Sequence, residues 1–247
     1  MGTVDPMQTD FFLTSDSLNA INSNMVTMKD GEVEDWHANG CKCGRNGIVV
    51  PFYGPDNADI IVMGEYPGIS ESAKHTPFIG KSGMLLRKML SSIGIRVTTD
   101  CIMCNAVMCF REGSSNPSGI IPSKKMYEYC ARMTTRAILL HKRKIILTFG
   151  RNAVRMMTGM DVPLYTVVGK IFKSTYADIG VYTQYNPASL SRLDPVVAKR
   201  RKEKTWENLK SLRKTLEQKG VQMSGMPSEL LGDLSGVQAL PVLESKA

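Results

Sequence analysis

Four short apolar runs punctuate the chain, and each ends in a glycine or a polar residue. Ile60 to Met63, Asp100 to Asn105, Lys144 to Phe149 and Asp178 to Gln184 have the length and composition of buried strands. Between them the apolar spacing changes. Met84, Leu85, Met89, Leu90 and Ile93 follow helical periodicity after Lys81-Ser82-Gly83, Asn152 to Thr158 reads as a further helix, and Ser123 stands where it can cap one running to Leu140. A last helix spans about Pro195 to Lys219. Strands alternating with helices predict an α/β fold: three layers, α/β/α, around a central four-stranded parallel sheet. Loops leaving the carboxyl ends of such strands gather at one edge, where open α/β sheets bind their ligands. The segments that follow Met63, Cys104, Phe149 and Gln184 are therefore the ones to search for chemistry.

Outside this alternation the pattern weakens. Residues 1–36 are polar and read as an N-terminal extension, although Asp10 to Asn24 has some helical character. Residues 37–219 form the domain, interrupted by an irregular Gly/Ser/Pro-rich stretch from Gly113 to Pro122. Residues 220–247 are expected to be a disordered tail, with Leu230, Leu231, Leu234 and Leu240 leaving room for a docking peptide.

Composition adds a partner class. The 247 residues carry a formal charge of +8, a pI near 9.2 and 43% hydrophobic content, which suits a globular protein that meets a polyanion such as DNA. The helix from Pro195 is dense in Lys and Arg and reads either as a solvated face or as a phosphate contact. No run of 18 apolar residues and no basic-then-apolar start is present, so neither a membrane span nor a secretory signal is expected. The expected setting is intracellular and reducing, cytoplasmic or nucleoid-associated, with a monomeric protein whose six cysteines serve as thiols or metal ligands rather than disulfides. Cys41 and Cys43, a CxC pair, read equally as incidental thiols or as half of a metal site. Cys101 and Cys104 lie three apart in a strand, hence on opposite faces, and read as core thiols.

Four loops, taken in order, resemble the uracil-DNA glycosylase superfamily, most closely its iron-sulfur branch, family 4. Gly64-Glu65-Tyr66-Pro67-Gly68 and Pro77-Phe78-Ile79-Gly80 are similar to that family's Gly-Glu-Ala-Pro-Gly and Pro-Phe-Val-Gly. Asn105 and Cys109 match its Asn-x-x-x-Cys, and Cys130 its later cysteine. Leu147 to Ala153 resembles its Leu-Gly-x-x-Ala segment, and Asn186-Pro187-Ala188-Ser189-Leu190-Ser191-Arg192 fills the place of a His-Pro-Ser-x-Leu-Leu-Arg loop. Two departures stand out. CxC replaces CxxC, and Asn186 replaces His, a loop closer to the Asn-Pro-Ser-Gly-Leu-Ser-Arg of the mismatch-specific branch.

The resemblance implies a glycosylase that flips a uracil or related pyrimidine out of DNA and cuts its N-glycosidic bond, leaving an abasic site. The alternative is a catalytically weak or inactive DNA-binding scaffold with the same fold. In the first reading Glu65 orients or deprotonates water and stabilises an oxocarbenium-like sugar, while Asn186 donates to the leaving oxygen. Gly64, Tyr66, Phe78 and Asn105 hold the base: Phe78 by stacking, Asn105 through an amide complementary to the N3-H and O4 of uracil, and Tyr66 by narrowing or reshaping the pocket. Lys81, Ser82, Ser189 and Arg192 meet DNA, with Leu190 as a wedge at the loop tip. Cys41, Cys43, Cys109 and Cys130 would bind a structural [4Fe-4S] cluster, with zinc as the other metal that suits four thiolates.

Overall fold

The computed structural model describes residues 47–111, 130, 131, 134, 143–190 and 194–225. Its centre is a five-stranded sheet. Strands β2 (Ile60–Gly64), β3 (Cys101–Asn105), β5 (Ile145–Phe149) and β7 (Gly180–Gln184) are the four expected ones, and all pair in parallel in the order β3-β2-β5-β7. The expected strand count is corrected by one: β6 (Ile171–Lys173) adds an antiparallel edge next to β7. Two of its three residues are exposed. A three-residue edge with one half-buried side chain leaves almost no periodic imprint on the sequence. A separate antiparallel pair joins β1 (Gly47–Val49) to β4 (Cys109–Arg111).

The four parallel strands are buried on both faces because helices cover both. On one face, α2 (Lys81–Ser91) contributes Leu86, Met89 and Leu90, and the long α6 (Pro195–Gln218) contributes Leu209, Leu212 and Leu216. On the other, α4 (Arg151–Thr158) supplies Ala153, Met156 and Met157, joined by Cys130 and Ala131. This is the three-layer arrangement. Strand β3 shows the alternation residue by residue: Cys101 and Met103 enter the first cluster, Ile102 and Cys104 the second. Both thiols are fully buried, and burial raises their pKa values, more so with Asp100 beside Cys101 and Cys130 beside Cys104. Three short α-helices, α1 (Ile69–Lys74), α3 (Val97–Asp100) and α5 (Pro187–Leu190), and a 3-10 turn at Leu164–Thr166 complete the described elements. No helix among them is long and apolar enough to cross a membrane.

The chain beyond α6 departs from expectation. Residues 220–225 are not a free tail but a strap across the amino ends of the strands. Lys144 Nζ donates to the Gly220 carbonyl at 2.7 Å, and Gln222 N donates to Asp59 Oδ2 at 2.9 Å. Ser224 N donates to Asp100 Oδ2 at 2.8 Å, and Gly225 N reaches the Gly94 carbonyl at 3.1 Å. Local polarity suggested disorder, but the partners are carboxylates and carbonyls more than 70 residues away in sequence. Asp100 is the hub, accepting also from Arg96 N at 2.8 Å and Thr99 Oγ1 at 2.9 Å. Asp100→Ala leaves these donors without their charged acceptor and is expected to cost about 2 kcal/mol in urea denaturation. An unchanged midpoint would show that the strap contributes nothing. The N-terminal extension, the irregular Gly113 to Pro122 stretch, most of the Ser123 to Leu140 helix and residues 226–247 lie outside the described residues.

Candidate active site

Glu65 follows directly on β2, and three parts of the fold converge on its carboxylate. Oε1 accepts a hydrogen bond from Asn152 N, in the first turn of α4, at 3.0 Å. The N-H groups at a helix start lack intrahelical acceptors and favour negative charge. Oε2 accepts from Asn186 Nδ2 at 2.6 Å across 121 residues of sequence. Between these contacts lies Gly150, at φ 105°, so close that a Cβ there would fall 2.3 Å from Glu65 Cδ. Only glycine permits both that backbone and that approach.

Asn186 is oriented at both ends. Its Oδ1 accepts from Ala188 N at 2.9 Å while its Nδ2 faces Glu65. The reverse amide orientation would set oxygen against carboxylate. One Nδ2-H is thus committed to Glu65 and the other is left to act. Ser189 stiffens the same turn, its Oγ donating to the Asn186 carbonyl at 2.7 Å.

One residue earlier on the chain, Gly64 links a second pair. The β2–β3 register sets Gly64 beside Asn105, and a Cβ on Gly64 would meet Asn105 Oδ1 at 2.6 Å and Phe78 Cε1 at 2.8 Å. Both side chains therefore lie over the same Cα. Asn105 is only 2% exposed, so its amide is held in the interior over Gly64. Phe78 is half-buried and sits at φ 57°, a left-handed backbone that costs roughly 1–2 kcal/mol for a residue other than glycine. Its turn is held from several sides. Glu71, 7% exposed, accepts from Gly68 N at 3.1 Å and from Gly80 N at 2.7 Å, tying together the two ends of the loop. Gly83 abuts the Phe78 backbone so closely that a Cβ would fall 2.2 Å from its carbonyl carbon. Sequence reasoning missed Glu71, although a glutamate three residues after Gly68, at the start of a short helix, is a capping pattern.

Asn105, Phe78, Glu65 and Asn186 thus surround the consecutive residues Gly64 and Glu65. An aromatic ring and a buried amide lie on one side, an anchored carboxylate and amide on the other.

Comparison with known proteins identifies the family. The family model described as the uracil DNA glycosylase superfamily matches residues 51–210. The chain belongs to that superfamily. Among similar proteins, the type-4 uracil-DNA glycosylase of Archaeoglobus fulgidus is 28% identical over 147 residues, covering 57% of this chain and 71% of the relative. That of Sulfurisphaera tokodaii is 25% identical over 180 residues, covering 70% and 76%. That of Thermotoga maritima is 31% identical over 128 residues, covering 51% and 62%. This superfamily member is accordingly an enzyme of the glycosylase class, a hydrolase.

The remaining expected positions fall as follows. Lys81 and Ser82 are exposed at the start of α2. Tyr66 is half-buried against the apolar cluster that contains Val107 and Cys109. Leu190 corrects an expectation: it is not an exposed loop tip but 2% exposed, in the apolar cluster shared with α2 and α6. The loop folds into helix α5, whose last residue turns inward onto α2. Arg192 lies outside the described residues. Tyr185, just before Asn186, is 7% exposed and carries the Arg201 guanidinium 5.0 Å from its ring centroid, a contact that sequence reasoning did not anticipate.

Of the four candidate metal ligands, Cys109 and Cys130 are both buried in the same apolar cluster, 6% and 2% exposed. Cys41 and Cys43 lie outside the described residues, and also outside the matched span. The strand that follows them in sequence nevertheless pairs with the strand of Cys109, Val49 opposite Cys109. The burial of Cys109 and Cys130 in one cluster, which also holds Cys104, is compatible with half of a four-thiolate set. Among the described residues there is no group of three or more metal-ligating side chains.

Proposed function

We propose that this glycosylase excises uracil, or a related 5-substituted pyrimidine, from DNA after everting the nucleotide, and leaves an abasic site. The observation that carries the reading is the convergence on Gly64 and Glu65 of an aromatic ring, a buried amide and a carboxylate bound to Asn186. A flipped base would stack on Phe78 and complete the hydrogen bonds of Asn105. A site built to pair with a polar edge rejects bases that leave its amide unpaired.

Bond rupture leaves positive charge on the sugar and negative charge on the pyrimidine. Glu65, an acceptor with lone pairs remaining beyond its two contacts, orients a water and stabilises the cationic sugar; the water adds to the anomeric carbon and gives its proton to the carboxylate, and the released pyrimidine anion takes a proton from solvent. Asn186 offers its remaining N-H to the departing oxygen. A neutral amide already bound to Glu65 stabilises that anion less than an imidazole in the same place. Asn186→His is therefore expected to raise the single-turnover excision rate by about tenfold, since single oxyanion donors are worth that much or more; an unchanged rate would assign Asn186 to holding Glu65 alone.

The DNA path proposed here runs from Lys81 and Ser82 to Ser189 and Arg192 and on to the first turns of α6, where Lys199 and Arg200 are exposed. With Leu190 buried, its use as a wedge would require the loop to open. In the same reading Cys41, Cys43, Cys109 and Cys130 hold a [4Fe-4S] cluster, which when bound ties the N-terminal segment to the domain and supplies no step of the reaction. Protein purified anaerobically is expected to show broad visible absorbance with stoichiometric iron and sulfide, lost together with thermal stability in Cys130→Ser. Colourless protein with one equivalent of zinc would select the other metal.

The decisive experiment incubates the full chain with labelled oligonucleotides containing uracil, hydroxymethyluracil or other altered pyrimidines, followed by alkali. Scission that requires Glu65 supports excision. Tight binding without scission on any substrate would leave the fold as a DNA-binding scaffold.

A further inference from the structure

The turn that carries Phe78 is met by a cation from the neighbouring helix. Arg87 lies on α2, one helical turn beyond Gly83, so both face the Phe78 backbone. Its Nε donates to the Phe78 carbonyl at 3.1 Å, and its Nη2 contacts Met103 Sδ at 3.8 Å. It has no carboxylate partner among the described residues. Partial burial disfavours its charged form, opposed by neighbouring Tyr53 and Cys101. The Tyr53 hydroxyl beside it is itself buried without a hydrogen-bond partner among the described residues. A half-buried, unpaired guanidinium is poor value for stability alone, because a neutral side chain could fill the space without the cost of desolvation.

We propose that Arg87 is a positioning residue for base recognition, fixing the left-handed Phe78 turn so that the ring stays over Gly64. The carbonyl it holds belongs to the strained residue itself. Glu71 fixes the neighbouring Gly80 N-H from the opposite side, and Gly83 leaves no room for the turn to relax toward α2. Remove the guanidinium, and the peptide after Phe78 is free to rotate, carrying the ring off the position where a pyrimidine would stack. The sequence offers no hint of this, since Arg87 reads as one more polar position on an amphipathic helix.

This inference rests on Phe78 stacking against the excised base, and the test separates the two. Single-turnover excision of uracil from an oligonucleotide would be measured for Arg87→Ala, Arg87→Gln, Arg87→Lys, Phe78→Ala and Phe78→Ala with Arg87→Ala, alongside thermal melts and binding to the uracil-free oligonucleotide. Arg87→Ala and Arg87→Gln are expected to slow excision about tenfold with uracil-free binding unchanged, because small misplacements of a positioned group are costly. Arg87→Lys, which keeps a donor and a charge, should recover part of the loss and serves as the readout if the other variants do not fold. In the Phe78→Ala background, Arg87→Ala should change the rate by less than about twofold, since residues acting as a unit are not additive. Full additivity, or wild-type excision by the Arg87 variants while Phe78→Ala is slow, would overturn the positioning role alone. Wild-type excision by Phe78→Ala would overturn it together with the base-stacking reading.

Discussion

Glu65→Ala is expected to lower the single-turnover rate of uracil excision by about 1000-fold while leaving affinity for uracil-containing DNA within a few-fold of wild type. The magnitude follows from what the side chain does: a carboxylate that both orients water and offsets charge on the sugar combines general-base and electrostatic contributions, each worth about 100-fold or more. Affinity should survive because the stacking ring and the Asn105 amide sit on the other side of the cleft, over Gly64. The measurement is a quenched single-turnover assay with a parallel binding titration. A rate within tenfold of wild type would remove Glu65 from the chemistry, and with it the reason for its three-sided anchoring by Asn152, Asn186 and Gly150.

Gly150→Ala should be nearly as damaging by a different route. The methyl group would fall 2.3 Å from Glu65 Cδ and 2.4 Å from Oε2, and the backbone at φ 105° suits no residue with a Cβ. Either the carboxylate moves or α4 shifts, taking the Asn152 N-H with it. We expect excision to fall about 100-fold and stability by about 1–3 kcal/mol. The two contributions separate in a cycle. In the Glu65→Ala background the collision is gone and only the backbone cost remains, so Gly150→Ala should be less destabilising there than in the wild type. Equal destabilisation in both backgrounds would mean that Gly150 serves the strand-to-helix turn and not the carboxylate.

The cleft was legible as a set of loops before it was legible as a site. Four apolar runs alternating with helical periods led to parallel strands, and parallel strands put their terminal loops on one edge whatever the details. Gly64, Glu65, Asn105 and Asn186 could therefore be brought to the same place from sequence, with the family resemblance indicating which of the loop residues mattered. Their mutual arrangement was not legible. Nothing in the pattern indicated that the Asn186 amide is bound to Glu65, or that Asn105 and the Phe78 ring would close over the same glycine. Leu190 shows the limit most clearly: in the sequence it is an apolar residue in a polar loop, which suggests a protruding wedge, whereas in the structure a single helical turn points it into the core. Glu71, Arg87 and the strap from Gly220 to Gly225 went unremarked or misread because each acts on backbone groups, and a backbone acceptor or donor has no sequence signature.

What this sequence determined by itself is the order of its four parallel strands and of the main helices that follow them, the burial of Cys101 and Cys104 on opposite faces, and the edge at which chemistry must lie. Those follow from residue periodicity, which is local. Tertiary structure alone decided the contacts at Glu65, the closeness of Gly150, the pinning of Phe78 and the docking of the chain after α6. These depend on how near one element comes to another, and that distance is set by the packing of the whole core.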